Sequence, residues 1–222
     1  ACLKALLGAA ATDQDGRVRQ RAFLSLAALP MADLAPLKSL LLSPAWETRS
    51  YAAFALARHG DVAGFDILVR QAAYTDKRAR FTAAWLLGQL GSAVAAPQAE
   101  ALSAMVRNVS ERGNIRHRAA ASLLNVVRDN AESISDRVVL DLLEAAGPQN
   151  MALTRTLAYF FPEVVSRAPL SARLRQEPLR AAVSEFGAKN KDAVLRPGAL
   201  GGLVTLLSRH LNLPLSFSPA LA

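Results

Sequence analysis

The sequence predicts an all-α fold built from repeated helical hairpins. Alanine and leucine dominate the 222 residues, whereas aromatic residues make up only 6%. This balance favours closely packed helices over a sandwich or barrel, which would need more β-branched and aromatic side chains. Four segments of the chain also align with one another at intervals of 30, 31 and 36 residues. A repeat of this length is typical of stacked helical units.

The internal repeat is carried by three aligned positions, an Arg, an Ala and a Leu. The aligned segments are 15–29, 46–60, 77–91 and 113–127, and a weaker fifth copy is predicted at 147–161. Successive copies are 30, 31 and 36 residues apart, which is the length of one helical hairpin. The aligned residues are Arg19, Arg49, Arg80 and Arg116; Ala22, Ala52, Ala83 and Ala119; and Leu26, Leu56, Leu87 and Leu123.

Each aligned segment is predicted to be the second helix of its hairpin. The Ala and the Leu are four residues apart and share one helix face, so small side chains let neighbouring helices approach while leucines fill the space between hairpins. A single hairpin cannot bury its apolar face, and stability therefore comes from stacking. The first helices are predicted at 31–42, 62–73, 97–109 and 133–146.

The first repeat carries the clearest family signature. Asp13, Val18 and Arg19 have the spacing of Asp, four residues, an aliphatic residue and Arg that opens the second helix of a HEAT repeat. The later copies keep the Arg but replace the Asp with Ser43, Tyr74 and Ser110, and the aliphatic residue with Thr48, Ala79 and Ile115. The chain therefore resembles the armadillo/HEAT-like α-solenoid family.

This resemblance implies a right-handed α-solenoid of about five to six hairpins. We expect the repeat array to occupy residues 1–165 and a divergent C-terminal helical cap with an extended tail to occupy 166–222. Within the cap, 170–187 is predicted to form one helix containing Pro178 or two short ones, 198–211 a terminal helix, and 212–222 an extended segment.

The chain has a net positive charge, which is evenly distributed along the sequence. Its net charge is +8, from 26 Lys and Arg against 18 Asp and Glu, and each half contributes +4. Such an excess favours anionic partners in general. No apolar run reaches the roughly 20 residues that a membrane span requires, and the single cysteine allows no intramolecular disulfide. We expect a cytoplasmic protein, with N-terminal processing left open.

The aligned arginines are predicted to be structural. In the HEAT family the equivalent arginine usually bonds the turn of the neighbouring repeat. The resemblance therefore implies that Arg19, Arg49, Arg80 and Arg116 form a structural ladder rather than a binding surface.

A helical wheel of the second helices predicts a candidate binding surface. If Val18, Ala22, Leu26 and Leu29 face the core, the opposite side is centred on position 24, and in HEAT-like stacks that side lines the concave surface. A groove and a contact between repeats both remain open for this position. Position 24 is occupied by Leu24, Phe54, Trp85 and Ala121, and around it lie Arg17, Arg21, Tyr51, Arg58, Arg78, Gln89, Arg118, Asn125 and Arg128.

Apolar anchors flanked by arginines predict a non-catalytic scaffold that binds an acidic protein or peptide. The alternative is a nucleic-acid-binding module, in which the arginines contact phosphates and Trp85 stacks on bases. An enzyme ranks third, because His59, His117 and His210 lack metal-ligand spacing and no nucleophile–base pair is evident. Trp46 and Trp85 lie in different repeats, unlike the aromatic cluster of HEAT-like DNA glycosylases. No cofactor, metal site, membrane span or small-molecule ligand is predicted.

Overall fold

The computed structural model of the protein describes residues 2–91, 94–146, 154 and 172–189. These residues are helical or lie in turns, and no strand occurs among them. The chain divides into two compact units, Ala1–Val94 and Ala95–Ala222. None of the helices in the described segments is long and apolar enough to cross a membrane.

The first unit is a stack of three helical hairpins. The second helix of the middle hairpin, α4, packs against the second helices on either side, α2 and α6, and also against α3 and α5. This arrangement places α4 at the centre of the unit and explains why it contributes the longest run of buried residues, 52–57. The six helices are α1 (Cys2–Thr12), α2 (Gly16–Ala28), α3 (Ala35–Leu40), α4 (Trp46–Arg58), α5 (Val62–Gln71) and α6 (Lys77–Leu87).

Aspartate caps set the starts of three helices in this unit, α2, α5 and α6. The carboxylates of Asp15, Asp61 and Asp76 accept hydrogen bonds from the first backbone N–H groups of α2, α5 and α6, which satisfies donors that have no partner within the helix. Gly60, with φ of 84°, adopts the left-handed conformation that ends α4. The predicted second helices thus begin within a residue or two of their observed starts.

Helix α3 is shorter than the sequence predicted. It begins at Ala35 rather than 31, because the Asp33 carboxylate accepts from the Ala35 N–H at 2.8 Å and Pro36 fixes the first turn. It ends at Leu40, where tighter turns take over: the N–H groups of Leu41 and Leu42 bond carbonyls three residues back.

The buried side of α2 differs from the side that the helical wheel predicted. Ala22 and Leu26 are buried as predicted, but Val18 is 41% exposed and Leu29 38% exposed. Phe23 and Ala27 are buried in their place. The centre of the buried side of α2 therefore lies about 75° further around the helix than the wheel assumed.

The described residues of the second unit include one complete hairpin and two further helices. Helices α7 (Ala95–Arg107) and α8 (Gly113–Asp129) form the hairpin, and α9 (Asp136–Ala145) packs against α7 and against α10 (Leu179–Lys189). Residues 172–174 are helical, and α10 begins directly after Pro178, so the proline separates two helical segments. The 165/166 boundary, the helix at 198–211 and the tail lie outside the described residues, as does the copy at 147–161 except for Thr154, which is buried.

A buried carboxylate ties α7 to α9. Asp141 is completely buried and accepts a hydrogen bond from the Ser103 hydroxyl. Its two oxygens also pair with Arg107, at 3.3 Å, and with Arg137, at 2.6 Å. Because a buried charge is tolerated only when it is paired, this network fixes the two helices in register.

Candidate partner-binding face

The aligned arginines hold the turn in front of their own helix. Nη1 of Arg19 donates to the carbonyl oxygens of Asp13 and Gln14 at 2.8 and 3.2 Å. Arg49 donates in the same way to Ser43 and Pro44 at 2.6 and 2.8 Å, and Arg80 to Tyr74 and Thr75, also at 2.6 and 2.8 Å. The acceptors lie six and five residues before each arginine.

This geometry corrects the expectation carried by the family resemblance. The acceptors lie between the first and second helix of the arginine's own hairpin, not in the turn of the neighbouring repeat. Arg116 departs from the pattern, because its Nε donates to Val106 at 2.9 Å, ten residues earlier.

The three large apolar residues at position 24 do not form an exposed stripe. Leu24 and Trp85 are half-buried, whereas Phe54 is 3% exposed and lies in the core. Phe54 is covered because α4 is packed on both sides, by α2 and by α6. The interpretation of position 24 as a contact between repeats is therefore correct for Phe54, and this residue offers no surface to a partner in this conformation.

Four arginines are exposed on the second helices of the first unit. Arg17, Arg21, Arg58 and Arg78 are all solvent-exposed, and Gln89 is exposed beside Arg58, whose Nη1 lies 3.5 Å from the Gln89 carbonyl. In the numbering of the first copy, Arg17 and Arg78 occupy position 17, Arg21 and Tyr51 position 21, Trp85 position 24 and Arg58 position 28. These four positions fall within about 60° of one another on a helical wheel. We call this surface the second-helix face and define it by Arg17, Arg21, Tyr51, Arg58, Arg78 and Trp85.

An aromatic cluster lies in the middle of this face. The ring of Tyr51 stacks on Phe23, with centroids 6.1 Å apart and an interplanar angle of 19°. On its other side Tyr51 meets Trp85 edge to face, at 6.5 Å and 75°. Such pairs contribute about 0.5–1.5 kcal/mol each beyond their buried area. The cluster therefore links α2, α4 and α6 through one half-buried tyrosine.

A cavity of about 230 Å³ opens beside the cluster. It lies between the first turns of α2 and α4, and its walls carry two aromatic rings, one carboxylate and one guanidinium. Burial and the negative charge of Glu47 raise the pKa of the Tyr51 phenol. Glu47 itself makes no ion pair and accepts no hydrogen bond from the described residues. The lining residues are Gly16, Arg19, Phe23, Glu47, Thr48 and Tyr51.

The other predicted site residues belong to the second unit. Arg118, Ala121, Asn125 and Arg128 are half-buried on α8. Arg128 pairs with Asp129, its neighbour in the chain, at 2.9 Å. These side chains are thus less exposed than the arginines of the first unit, and they include no aromatic residue.

Sequence reasoning missed Glu47 and the cavity. The signal for Glu47 was visible, because the residues equivalent to position 17 read Arg17, Glu47 and Arg78 in successive copies. Phe23 was also missed, since the wheel placed it beside the core rather than in it. The cavity joins residues 16–23 to residues 47–51 of the next repeat, and pairing across repeats is not readable from either segment alone.

The histidine of the first unit has a structural contact. His59 ends α4, and its Nε2 lies 2.9 Å from the Leu26 carbonyl of α2. Within the described segments no three His, Cys, Asp or Glu side chains come together in a way that could hold a metal ion.

Comparisons with known proteins identify the repeat. The family model described as HEAT repeats matches residues 34–125. The crystal structure of an engineered protein, a Northeast Structural Genomics Consortium target, superposes with a TM-score of 0.59 at 16% identity, covering 95% of this chain and 96% of that chain. No curated protein matches in sequence. HEAT repeats generally serve as non-catalytic scaffolds for protein interaction. The chain therefore carries HEAT repeats at residues 34–125, and its all-α fold is that of a solenoid-type repeat protein.

Proposed function

We propose that the second-helix face binds an acidic segment of another protein. The observation that carries this proposal is the grouping of four exposed arginines around the half-buried rings of Tyr51 and Trp85. In HEAT-like stacks this side of the second helices lines the concave surface.

The charges favour an acidic partner. Arg17 and Arg21 lie one turn apart on α2, while Arg58 and Arg78 lie on α4 and α6. Arginine pairs with a carboxylate through two parallel hydrogen bonds, which adds geometric specificity to the attraction. Rim charges of this kind steer association and orient the partner, and the aromatic cluster supplies the apolar contact area.

The aromatic packing argues against nucleic acid as the preferred partner. Single strands are bound by stacking bases on open aromatic faces. Here Tyr51 has one face against Phe23 and meets Trp85 at the edge, and both rings are half-buried. A flat, fully open stacking platform is therefore missing from this face, although its arginines would attract any polyanion.

A binding array of 12-residue random peptides, graded by net charge, tests the proposal with the whole chain as probe. We expect retention on acidic peptides that also carry an apolar residue, and loss of that retention as salt is raised, because the pairs are exposed. A 20-base-pair DNA duplex serves as competitor. If the duplex displaces the peptides, and its own affinity falls steeply between about 50 and 200 mM salt, the face binds phosphate backbones instead.

A further inference from the structure

The charges at one repeat position alternate across the first unit. The residues equivalent to position 17, in the first turns of three successive second helices, are Arg17, Glu47 and Arg78. Helix α4 lies between α2 and α6, so the position of Glu47 lies between the helices that carry Arg17 and Arg78. The aspartates near these positions, Asp15 and Asp76, already accept backbone N–H groups at their helix ends.

Glu47 has one evident structural role, compensation of the helix dipole of α4, but this role does not explain why the side chain lies half-buried beside a cavity. Helix α4 lacks a side-chain cap, and a glutamate in its first turn compensates the helix dipole. A solvent-facing glutamate would serve that purpose equally well. Instead, Glu47 is half-buried and lines the 230 Å³ cavity together with Phe23 and Tyr51. A carboxylate that has no partner among the described residues, beside the half-buried ring of Tyr51, is an arrangement that binds an ammonium or guanidinium group.

The positive charge on the opposite wall of the cavity is already engaged. Arg19 also lines this space, but its Nη1 donates to two carbonyl oxygens, those of Asp13 and Gln14. Those carbonyl dipoles offset part of the guanidinium charge. No hydrogen bond or ion pair reaches Glu47 from the described residues, so its carboxylate is the charged group of the cavity that is available to a partner.

We infer that the acidic segment recognised by this face carries a lysine or arginine whose side chain enters the cavity and pairs with Glu47. This inference rests on the proposed function and specifies the partner's sequence. The carboxylates on either side of that basic residue pair with Arg17 and Arg78. The recognised pattern is therefore acidic, basic, acidic across α2, α4 and α6.

Helix geometry sets the spacing of this pattern. Packed helices lie about 8–10 Å apart, and an extended peptide advances about 3.3 Å per residue. One helix-to-helix step thus corresponds to about three peptide residues. The expected motif places an acidic residue three positions before, and another three positions after, the basic one.

A peptide array in which only the central residue varies tests this motif. Each peptide holds glutamate three positions before and after the variable residue and one leucine at a fixed end position, with glycine and serine elsewhere. Intact wild-type protein should retain peptides with central Lys or Arg about fivefold more strongly than the peptide with central Ala, which is the worth of one partly exposed ion pair. Peptides with central Glu should be retained least.

A charge reversal supplies the decisive control. The Glu47→Lys variant should reverse the preference at the central position from Lys and Arg to Asp and Glu. Asp66→Lys makes the same change in net charge at an exposed residue of α5 and should leave the preference unchanged. Circular dichroism and thermal unfolding of both variants establish that each is folded.

The outcomes separate this inference from the proposed function. If acidic peptides bind but the central residue has no effect, or Glu47→Lys does not change the preference, the motif is wrong while acidic-segment binding stands. If no acidic peptide binds wild type at any central residue, both are overturned.

Discussion

Tyr51 is half-buried one helical turn after Glu47, and the two residues share the cavity between α2 and α4. Burial of the phenol is the larger cause of its raised pKa, and the Glu47 carboxylate adds to it. The folded state therefore disfavours the tyrosinate form. Tyr51 and Glu47 therefore link the pH dependence of the first unit's stability to the charge of the candidate site.

This relationship predicts a loss of stability at high pH. Because the folded pKa of Tyr51 lies above its unfolded value, its contribution is fully present below the ordinary pKa of 10.0 and is lost as the pH rises through the raised pKa. Absorbance titration of the native protein should show a late phase from Tyr51, and Tyr51→Phe should remove that phase. Glu47→Gln should shift the phase to lower pH. An unchanged titration in Tyr51→Phe would contradict the assignment.

The close approach of α5 to α4 at Gly64 predicts that this glycine cannot be replaced without a loss of stability. A Cβ on Gly64 of α5 would lie 2.7 Å from the backbone nitrogen of Ala57 and 2.8 Å from Cβ of Leu56, both on α4. We expect Gly64→Ala to lower the free energy of unfolding by about 1–3 kcal/mol through overpacking, as measured by urea denaturation.

Gly8 provides the matched control for that substitution. It lies within α1, and an added Cβ there meets nothing within 4 Å. Gly8→Ala should raise stability by about 0.5–1 kcal/mol, because alanine is the better helix former. Equal effects at the two glycines would show that α4 and α5 do not approach as closely as described.

The hydrogen bonds of the arginine ladder predict that lysine cannot take the place of these arginines without a loss of stability. Arg49→Lys should lower the free energy of unfolding by about 1–2 kcal/mol, because one ammonium group cannot reproduce the approach of the guanidinium to the Ser43 and Pro44 carbonyls. Arg19→Lys and Arg80→Lys should behave alike. Arg70→Lys, at an exposed position on α5, should change stability by less than about 0.5 kcal/mol. If a ladder arginine can be changed to lysine with as little effect on stability as Arg70→Lys, the structural role assigned to that ladder arginine is wrong.

The buried carboxylate of the second unit should be costly to remove. Asp141→Ala leaves Ser103 and two arginines without their shared acceptor, and we expect a loss of about 1–3 kcal/mol. The loss stays below that of a fully buried pair because Arg107 and Arg137 are 50% and 54% exposed and can regain water. Arg137→Met should cost less, since Arg107 remains. Chemical denaturation that finds Asp141→Ala as stable as wild type would rule out this role.

Much of the fold was predictable from local pattern. The recurring Arg, Ala and Leu located all four second helices, because the small and large apolar residues that let hairpins stack must repeat at each interface. Helix phase was harder to predict. Val18 and Leu29 are apolar but lie near the two ends of their helix, where the neighbouring hairpin no longer covers them, so the wheel was rotated toward them.

The candidate site was only partly predictable. The exposed arginines followed from their positions on the wheel, but the burial of Phe54 depends on the two helices that flank α4. The cavity and its carboxylate depend on how residues of successive repeats come together. Sequence periodicity describes one repeat at a time, and contacts between unlike residues of adjacent repeats, such as Phe23 with Tyr51, follow only from three-dimensional packing.

The most direct test of the account measures how the affinity for an acidic peptide depends on the second-helix face. An acidic peptide retained by the array is titrated by fluorescence anisotropy against wild type, the double variant Arg21→Glu/Arg78→Glu, and the control Arg70→Glu. We predict that the double variant weakens binding at least about tenfold, as reversal of two steering charges should, while Arg70→Glu leaves the affinity within about twofold of wild type. Equal weakening by Arg70→Glu, or no weakening by the double variant, would contradict the assignment of this face as the binding surface.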